Sequence, residues 1–260
     1  MADRMLGSVK YSYEPHSLVG KNVLVTGGTT GIGRTTALLL ASKGAKVLIY
    51  GRSQSDLDEA LKEIGSTGGQ VFGVTADQTN PEDIKRVFAE VDSKLGGLDI
   101  LVANAADPAE TVLQGDYAQW HGAIADDLLG YMACCRYAYD RMKPKGEGHI
   151  VAVGSLSAKA RNKGNDIYVA AKSGLEGFID AFSKSVNEEG IRVSLIEPGK
   201  VGTDFQTIAK GEQPDEQRKN EAEGTELTAE DLAECIFYVL SQPRRVDVAF
   251  VQIRPIKQAI

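Results

Sequence analysis

Tyr168 and Lys172 stand four residues apart, and Ser155 lies thirteen positions before the tyrosine. On a helix, residues four apart share one face, so the ammonium sits one turn along from the phenol. A phenol ordinarily titrates near pH ~10 and is a poor base at neutral pH, but a neighbouring ammonium stabilises the phenolate and lowers that value. Phenol, ammonium and hydroxyl together make a proton-transfer set. Taken alone, a Tyr-x-x-x-Lys spacing is common and usually marks a half-buried tyrosine beside a solvated lysine. The elements that carry these residues decide between the two readings.

Residues 22–26 form a short apolar run bounded by glycine, and 32–42 follow with the alanine and leucine content of a buried helix. The alternation recurs, with strands expected at 46–50, 71–75, 99–103, 149–153, 192–196 and 246–253 and helices at 55–64, 81–94, 119–143, 168–188 and 229–240. Regular β-α alternation implies an α/β protein whose doubly wound parallel sheet, here of about seven strands, carries helices on both faces. After Tyr168, the residues Ala171, Leu175, Phe178, Ile179, Phe182 and Val186 recur at three- and four-residue steps and make one wide apolar stripe. That stripe puts the helix of Tyr168 and Lys172 against the protein body. Residues 204–226 turn polar, which fits either a flap over a site or a solvated loop.

The chain has 260 residues, 42% hydrophobic and 25% charged, enough for one large α/β domain, read as 19–260 behind an N-terminal extension at 1–18. A net charge of -7 argues against nucleic acid and anionic membranes as partners and favours small molecules. The extension has no apolar run, and no stretch reaches the ~18 apolar residues of a membrane span, so a cytoplasmic protein is expected. Cys134, Cys135 and Cys235 suit neither a disulfide framework nor zinc, and His16, His121 and His149 lack metal-ligand spacing, so they read as surface or capping residues and no metal is expected.

Directly after the first strand of the alternation comes a glycine turn, Thr26, Gly27, Gly28, Thr29, Thr30, Gly31, Ile32 and Gly33, where strand hands over to helix. Such a turn lets backbone N–H groups approach a pyrophosphate at the positive end of the helix. In dinucleotide-binding folds a carboxylate at the end of the second strand pairs with the ribose 2′-hydroxyl and repels a 2′-phosphate. Here that position offers Arg52 and Ser53, a forked cation and a hydroxyl, which favours NADP(H) over NAD(H).

From about Gly20 to its end the chain resembles the short-chain dehydrogenase/reductase family, of the NADP-preferring type. The family's Thr-Gly-x-x-x-Gly-x-Gly motif is met by Thr26, Gly27, Gly31 and Gly33, and its acidic residue near the adenine by Asp77, followed by Gln78. Asn104, Ala105 and Ala106 stand for its Asn-Asn-Ala-Gly, with Ala103 and Ala106 replacing the outer members. Its catalytic Ser, Tyr and Lys fall on Ser155, Tyr168 and Lys172; Pro198, Gly199, Val201 and Thr203 match the loop holding the nicotinamide carboxamide. The resemblance implies a single-domain Rossmann fold and hydride transfer between nicotinamide and a carbonyl or secondary alcohol. Tyr168 would exchange the proton, Ser155 would hold the substrate oxygen, and Lys172 would bind the ribose hydroxyls. It also implies a homo-oligomer, tetramer or dimer, formed through the long helices of the second half.

One position departs from the family. An Asn three before a glycine usually holds a water of the proton relay behind the lysine, and counting back from Gly130 gives Asp127. Either Asp127 works in the relay or Asp126 and Asp127 are ordinary surface acids. Lys159, Arg161 and Lys163, between Ser155 and Tyr168, hint at an anionic substrate such as a hydroxy acid, or form a solvated basic loop. The altered Asn104 motif and Asp127 also leave open a catalytically weak NADP(H)-binding sensor or scaffold.

Overall fold

In the computed structural model, residues 4–6, 9–11, 13–109, 111–203 and 214–258 are described, the first two stretches and 214–218 by their backbone alone. Two short antiparallel strands, β1 (Arg4–Leu6) and β2 (Val9–Tyr11), precede the main body. The main sheet comprises β3 (Asn22–Thr26), β4 (Lys46–Gly51), β5 (Gln70–Thr75), β6 (Ile100–Ala103), β7 (Gly148–Val153), β8 (Ile191–Pro198) and β9 (Phe250–Ile253). Its seven strands lie in the order β5-β4-β3-β6-β7-β8-β9, every neighbouring pair parallel.

The helices are α1 (Gly31–Ser42), α2 (Gln54–Ser66), α3 (Pro81–Leu95), α4 (Tyr117–Ile124), α5 (Gly130–Met142), α6 (Ser157–Ala160), α7 (Asp166–Val186), α8 (Pro214–Glu223) and α9 (Ala229–Leu240). Every residue of β6 and of β7 is buried, as expected where helices cover both faces. Leu24, Leu48, Leu101 and Ile150 join one apolar layer with residues of α3, α5 and α7. Val23, Val25, Val47 and Val102 join the other, with residues of α1, α2 and α9. Since β3 pairs with β4 on one side and β6 on the other, successive crossovers leave in opposite directions and open a crevice at the carboxyl ends of these strands.

The parallel sheet of seven strands meets the sequence expectation; several details differ. The helix expected over 119–143 is interrupted by a π turn, Ala125–Leu129, in which the Gly130 N–H donates to the Ala125 carbonyl five residues back. The widened turn brings Asp126 and Asp127 inward, and neither is a surface acid: their exposures are 7% and 0%. The last strand is confined to Phe250–Ile253, because Val246 N–H is used in a turn to the Pro243 carbonyl. His149 is buried and bonded to Ser194 at 2.9 Å rather than lying at the surface.

Residues just before the main body lie against it, His16 N–H donating to the Ser241 carbonyl at 2.7 Å beyond α9 and the Tyr13 hydroxyl donating to Gln242. Of the polar stretch expected as a flap or loop over 204–226, residues 204–213 lie outside the described residues, and Pro214–Glu223 form the helix α8. Among the described residues, no helix is long and apolar enough to cross a membrane.

Candidate active site

A cleft of about 950 Å³ opens at the crevice, lined by the glycine turn, the loops after β4, β6, β7 and β8, and the start of α7. Its nucleotide wall is shaped by missing side chains. A Cβ on Gly33 would lie 2.1 Å from the Gly27 carbonyl oxygen, one on Gly27 2.8 Å from the Ala105 backbone, and one on Gly51 2.4 Å from Thr29 Oγ1. Gly27 also has φ +60°, in the region that glycine enters without strain.

Asn104 fixes the turn from β6: its Nδ2 donates to the Thr26 and Gly27 carbonyls at 3.2 and 3.4 Å, while Thr26 Oγ1 accepts from the Asn104 and Ala105 N–H groups. Thr30 begins α1 with no side-chain cap, and the first turn of α1 carries no acid. Thr29, Thr30, Gly31 and Ile32 all line the cleft. A backbone held this close, at the positive end of a helix, fits a pyrophosphate.

At the far end of this wall Arg52 and Ser53 both line the cleft. Ser53 accepts from Asp56 N–H as the cap of α2. The Arg52 guanidinium makes a two-pronged ion pair with Asp107, at 2.6 and 2.7 Å. Asp77 departs from expectation, because its carboxylate accepts from Thr79 N–H and Oγ1 within its own loop, and the cleft is lined by Ala76 and Gln78 instead.

Ser155, Tyr168 and Lys172 come together as anticipated. The loop after β7 is tied to β8 by Gly154 N–H to Ile196 and Leu156 N–H to Pro198, which fixes Ser155 between them. A hydrogen bond joins Ser155 to the Tyr168 hydroxyl. Lys172 lies on the buried face of α7 with Ala171 and Leu175, 1% exposed, its ammonium 5.6 Å from the Tyr168 ring centre. Pro198, Gly199 and Val201 also line the cleft, with Thr203 over the glycine turn.

Behind Lys172 stands a wall of acids. Lys172 Nζ is 3.7 Å from Asp127 Oδ1 and donates to the Tyr131 hydroxyl at 3.5 Å; that hydroxyl donates to the Val153 carbonyl at 3.1 Å. Asp127 Oδ1 accepts from the Asp107 N–H, and Oδ2 has no hydrogen-bond partner among the described residues. Burial pushes the Asp127 carboxyl up to about 6 against the pull of Lys172. Burial, with the like charges of Asp127 and Asp107, pushes Asp126 up to about 7. Asp126 lines the cleft while Asp127 lies behind it.

The phenol of Tyr168 is raised, not lowered: burial acts first, the Asp127 charge adds to it, and the Ser155 hydrogen bond opposes both. The sequence expectation that Lys172 depresses this group meets a lysine already facing a carboxylate. The cations expected near the substrate are also turned elsewhere: Lys159 pairs with Glu176, Arg161 donates to the Ala158 carbonyl, and neither they nor Lys163 line the cleft. Neutral groups, Thr111, Gln114, Asn162 and Asn165, line that end, with Lys200 paired to Glu226.

Sequence reasoning missed Asp107, Asp126, Tyr131 and Tyr50. Tyr50 donates to Gln78 at 2.6 Å and Gln78 donates to the Asp126 carbonyl at 2.8 Å, an approach that Gly130 permits because a Cβ there would be 2.2 Å from Gln78 Cγ. An acid pair beside a family Asn position was the available signal for Asp126; Tyr50 and Tyr131 carried none.

The family model for the short chain dehydrogenases matches residues 21–213. Similar proteins include uncharacterised oxidoreductases of Staphylococcus aureus (strain N315), 29% identical over 241 residues, and Staphylococcus saprophyticus, 30% identical, each matched over 92% of this chain and 99% of its own length. An alcohol dehydrogenase of the archaeon Thermococcus sibiricus, solved with 5-hydroxy-NADP, shares the fold at TM-score 0.82 and 24% identity, covering 92% of this chain and 98% of that one. A short chain dehydrogenase of Burkholderia cenocepacia J2315, solved in complex with NADP, has TM-score 0.80, 27% identity and the same coverage. With the glycine turn, the seven-stranded parallel sheet and a family match across most of its length, the chain belongs to the short-chain dehydrogenases, a family of oxidoreductases.

Proposed function

We propose that this protein is an NADP(H)-dependent oxidoreductase that interconverts a small carbonyl compound and the corresponding secondary alcohol. The observation that carries the reading is Ser155, Tyr168 and Lys172 gathered, with Tyr168 bonded to Ser155, in one cleft whose opposite wall is a glycine cradle.

The first turn of α1 and Gly27 to Gly33 would hold the pyrophosphate, Arg52 the 2′-phosphate, Lys172 the nicotinamide ribose, and the 198–203 loop the carboxamide. When bound, the nicotinamide supplies the hydride. The preference for the phosphorylated cofactor is supported by Arg52 in the place of a carboxylate, and by the NADP in the Burkholderia cenocepacia relative.

Ser155 and the Tyr168 hydroxyl orient the substrate oxygen. Burial keeps the Tyr168 phenol protonated, and it gives that proton to the substrate oxygen as negative charge develops there. Lys172, whose ammonium lies 5.6 Å from the Tyr168 ring centre, then stabilises the phenolate. Because Lys159 and Arg161 are engaged outside the cleft, a hydroxy acid is not favoured; the neutral lining suits an uncharged carbonyl with hydrogen-bonding groups.

The test is a panel of aldehydes, ketones and hydroxy acids offered with NADPH and with NADH, followed by absorbance of the reduced cofactor. The wild type is expected to reduce a neutral carbonyl with NADPH. Tyr168→Phe should lose about 10²- to 10⁴-fold in turnover while still binding NADPH. A wild type that binds NADPH yet turns over nothing in the panel would favour the sensor reading over the enzyme.

A further inference from the structure

Arg52 stands where a 2′-phosphate would be read, and both of its terminal nitrogens are already engaged. Nη1 donates to Asp107 Oδ2 at 2.6 Å and Nη2 to Asp107 Oδ1 at 2.7 Å. The partners come from opposite sides of the glycine turn: Arg52 follows β4, Asp107 lies four residues beyond β6, and β4 and β6 flank β3. Both line the cleft, so the ion pair reaches from one wall to the other.

Each partner is reachable from solvent, with side-chain exposures of 61% for Arg52 and 31% for Asp107. Asp107 is itself anchored, its backbone N–H donating to Asp127 Oδ1 at 3.2 Å. A carboxylate and a phosphate offer a guanidinium the same thing, two oxygens for two parallel N–H groups. One fork cannot serve both with the same pair of nitrogens.

We propose that Asp107 is a resident competitor for Arg52: it holds the guanidinium while the cleft is empty, yields it to the 2′-phosphate, and reclaims it as the nucleotide leaves. The inference rests on the NADP(H) reading above and adds a residue that limits how tightly the nucleotide is kept. Product release limits turnover in many enzymes, and an internal anion that recaptures Arg52 would speed the exit of the nucleotide. Asp107 is a positioning residue in this account and touches no reacting atom.

The test is a double-mutant cycle on binding. Asp107→Asn keeps the shape and the backbone donor while removing the charge; Asp107→Ser serves as a second variant should the first fail to fold, and thermal melts check both. NADPH is titrated by fluorescence, its dissociation is followed by stopped flow, and adenosine 2′,5′-bisphosphate is titrated by calorimetry as a probe that carries the phosphate without nicotinamide. Loss of the competitor is expected to lower both dissociation constants by about threefold to tenfold and to slow NADPH release by a similar factor.

On an Arg52→Gln background the same Asp107 substitution should change neither constant. Unchanged or weaker binding in Asp107→Asn overturns the proposal, and so does tightening that persists without Arg52, which would mean that Asp107 merely repels phosphate. If the wild type binds neither NADPH nor the bisphosphate, the cofactor reading itself falls and takes the competitor with it; if it binds both and the variant does not tighten, the competitor alone falls.

Discussion

The two walls of the cleft are held by different physics. The nucleotide wall is a backbone surface: Gly27, Gly33 and Gly51 are approached so closely by carbonyl, backbone or threonine atoms that a methyl group has no room. The proton wall is a charge surface, in which burial and the neighbouring charges of Lys172 and Asp107 govern the titration of Asp126 and Asp127. Steric walls answer to substitution abruptly, because a close-packed contact cannot relax by small steps. Charged walls answer gradually and with pH, since each group is one contributor among several. Substitutions on each side should reveal that contrast.

The largest effect is expected at Gly33→Ala. The added Cβ would lie 2.1 Å from the Gly27 carbonyl oxygen and 2.6 Å from Asn104 Nδ2, so both the turn and its brace from β6 must shift. Overpacking of this kind costs about 1–3 kcal/mol, and NADPH affinity should fall at least about tenfold, with a lower melting temperature. Gly177→Ala on α7 is the control, because no atom outside its own helix surroundings lies within 4 Å of the added carbon. It should leave affinity unchanged and stability equal or higher. Equal behaviour of the two variants in titration and melting would end the claim that close backbone approach defines this wall.

The same contrast explains what the sequence disclosed. Gly27, Gly31 and Gly33 are legible because only one residue type fits their positions, and Ser155, Tyr168 and Lys172 because their spacing follows from a strand end and one helical turn. The sheet was legible from its apolar runs, since β6 and β7 are buried on both faces. The proton wall was not. Whether Asp126 and Asp127 face solvent or Lys172 depends on a π turn of five residues, and no local pattern in 119–143 marks the place where the helix widens. The Arg52 to Asp107 pair joins residues 55 positions apart, and Asp77 turned to Thr79 through a local turn that competes with any role toward the cleft. Pairing across the fold is decided by topology, which composition and period do not encode residue by residue.

An intermediate effect is expected at Asp127→Asn. The amide keeps the side chain's shape and removes the charge that helps to raise the Tyr168 phenol and that faces Lys172. Turnover should stay within about tenfold of the wild type or exceed it, and the pH profile for alcohol oxidation should move to lower pH by on the order of one unit. A fall of more than about a hundredfold, some 2.7 kcal/mol, would mean that the carboxylate itself carries the proton. An unmoved profile with normal turnover would instead detach Asp127 from the titration of Tyr168.

The smallest effect, and the most diagnostic of a charged wall, is expected at Asp126→Asn. Its carboxyl is pushed up to about 7 by burial and by Asp127 and Asp107, with Arg52 and Lys172 pulling the other way. In the unfolded chain the same group titrates near ~3.9. Between those values the folded protein binds more protons than the unfolded one, so this residue's contribution to stability is complete below about pH 4 and is lost as pH rises toward about 7. Asparagine resembles the protonated carboxyl and has nothing to lose. The two proteins should therefore melt together near pH 4, separate as pH rises, and hold a constant gap of a few degrees above about pH 8, the variant being the more stable. Asp127, pushed up to about 6 and in contact with the same charges, still titrates in the variant and leaves part of the slope in place. A gap that is independent of pH would assign the change to packing, and a variant less stable at pH 8 would show that the ionised Asp126 is needed to balance Arg52 and Lys172.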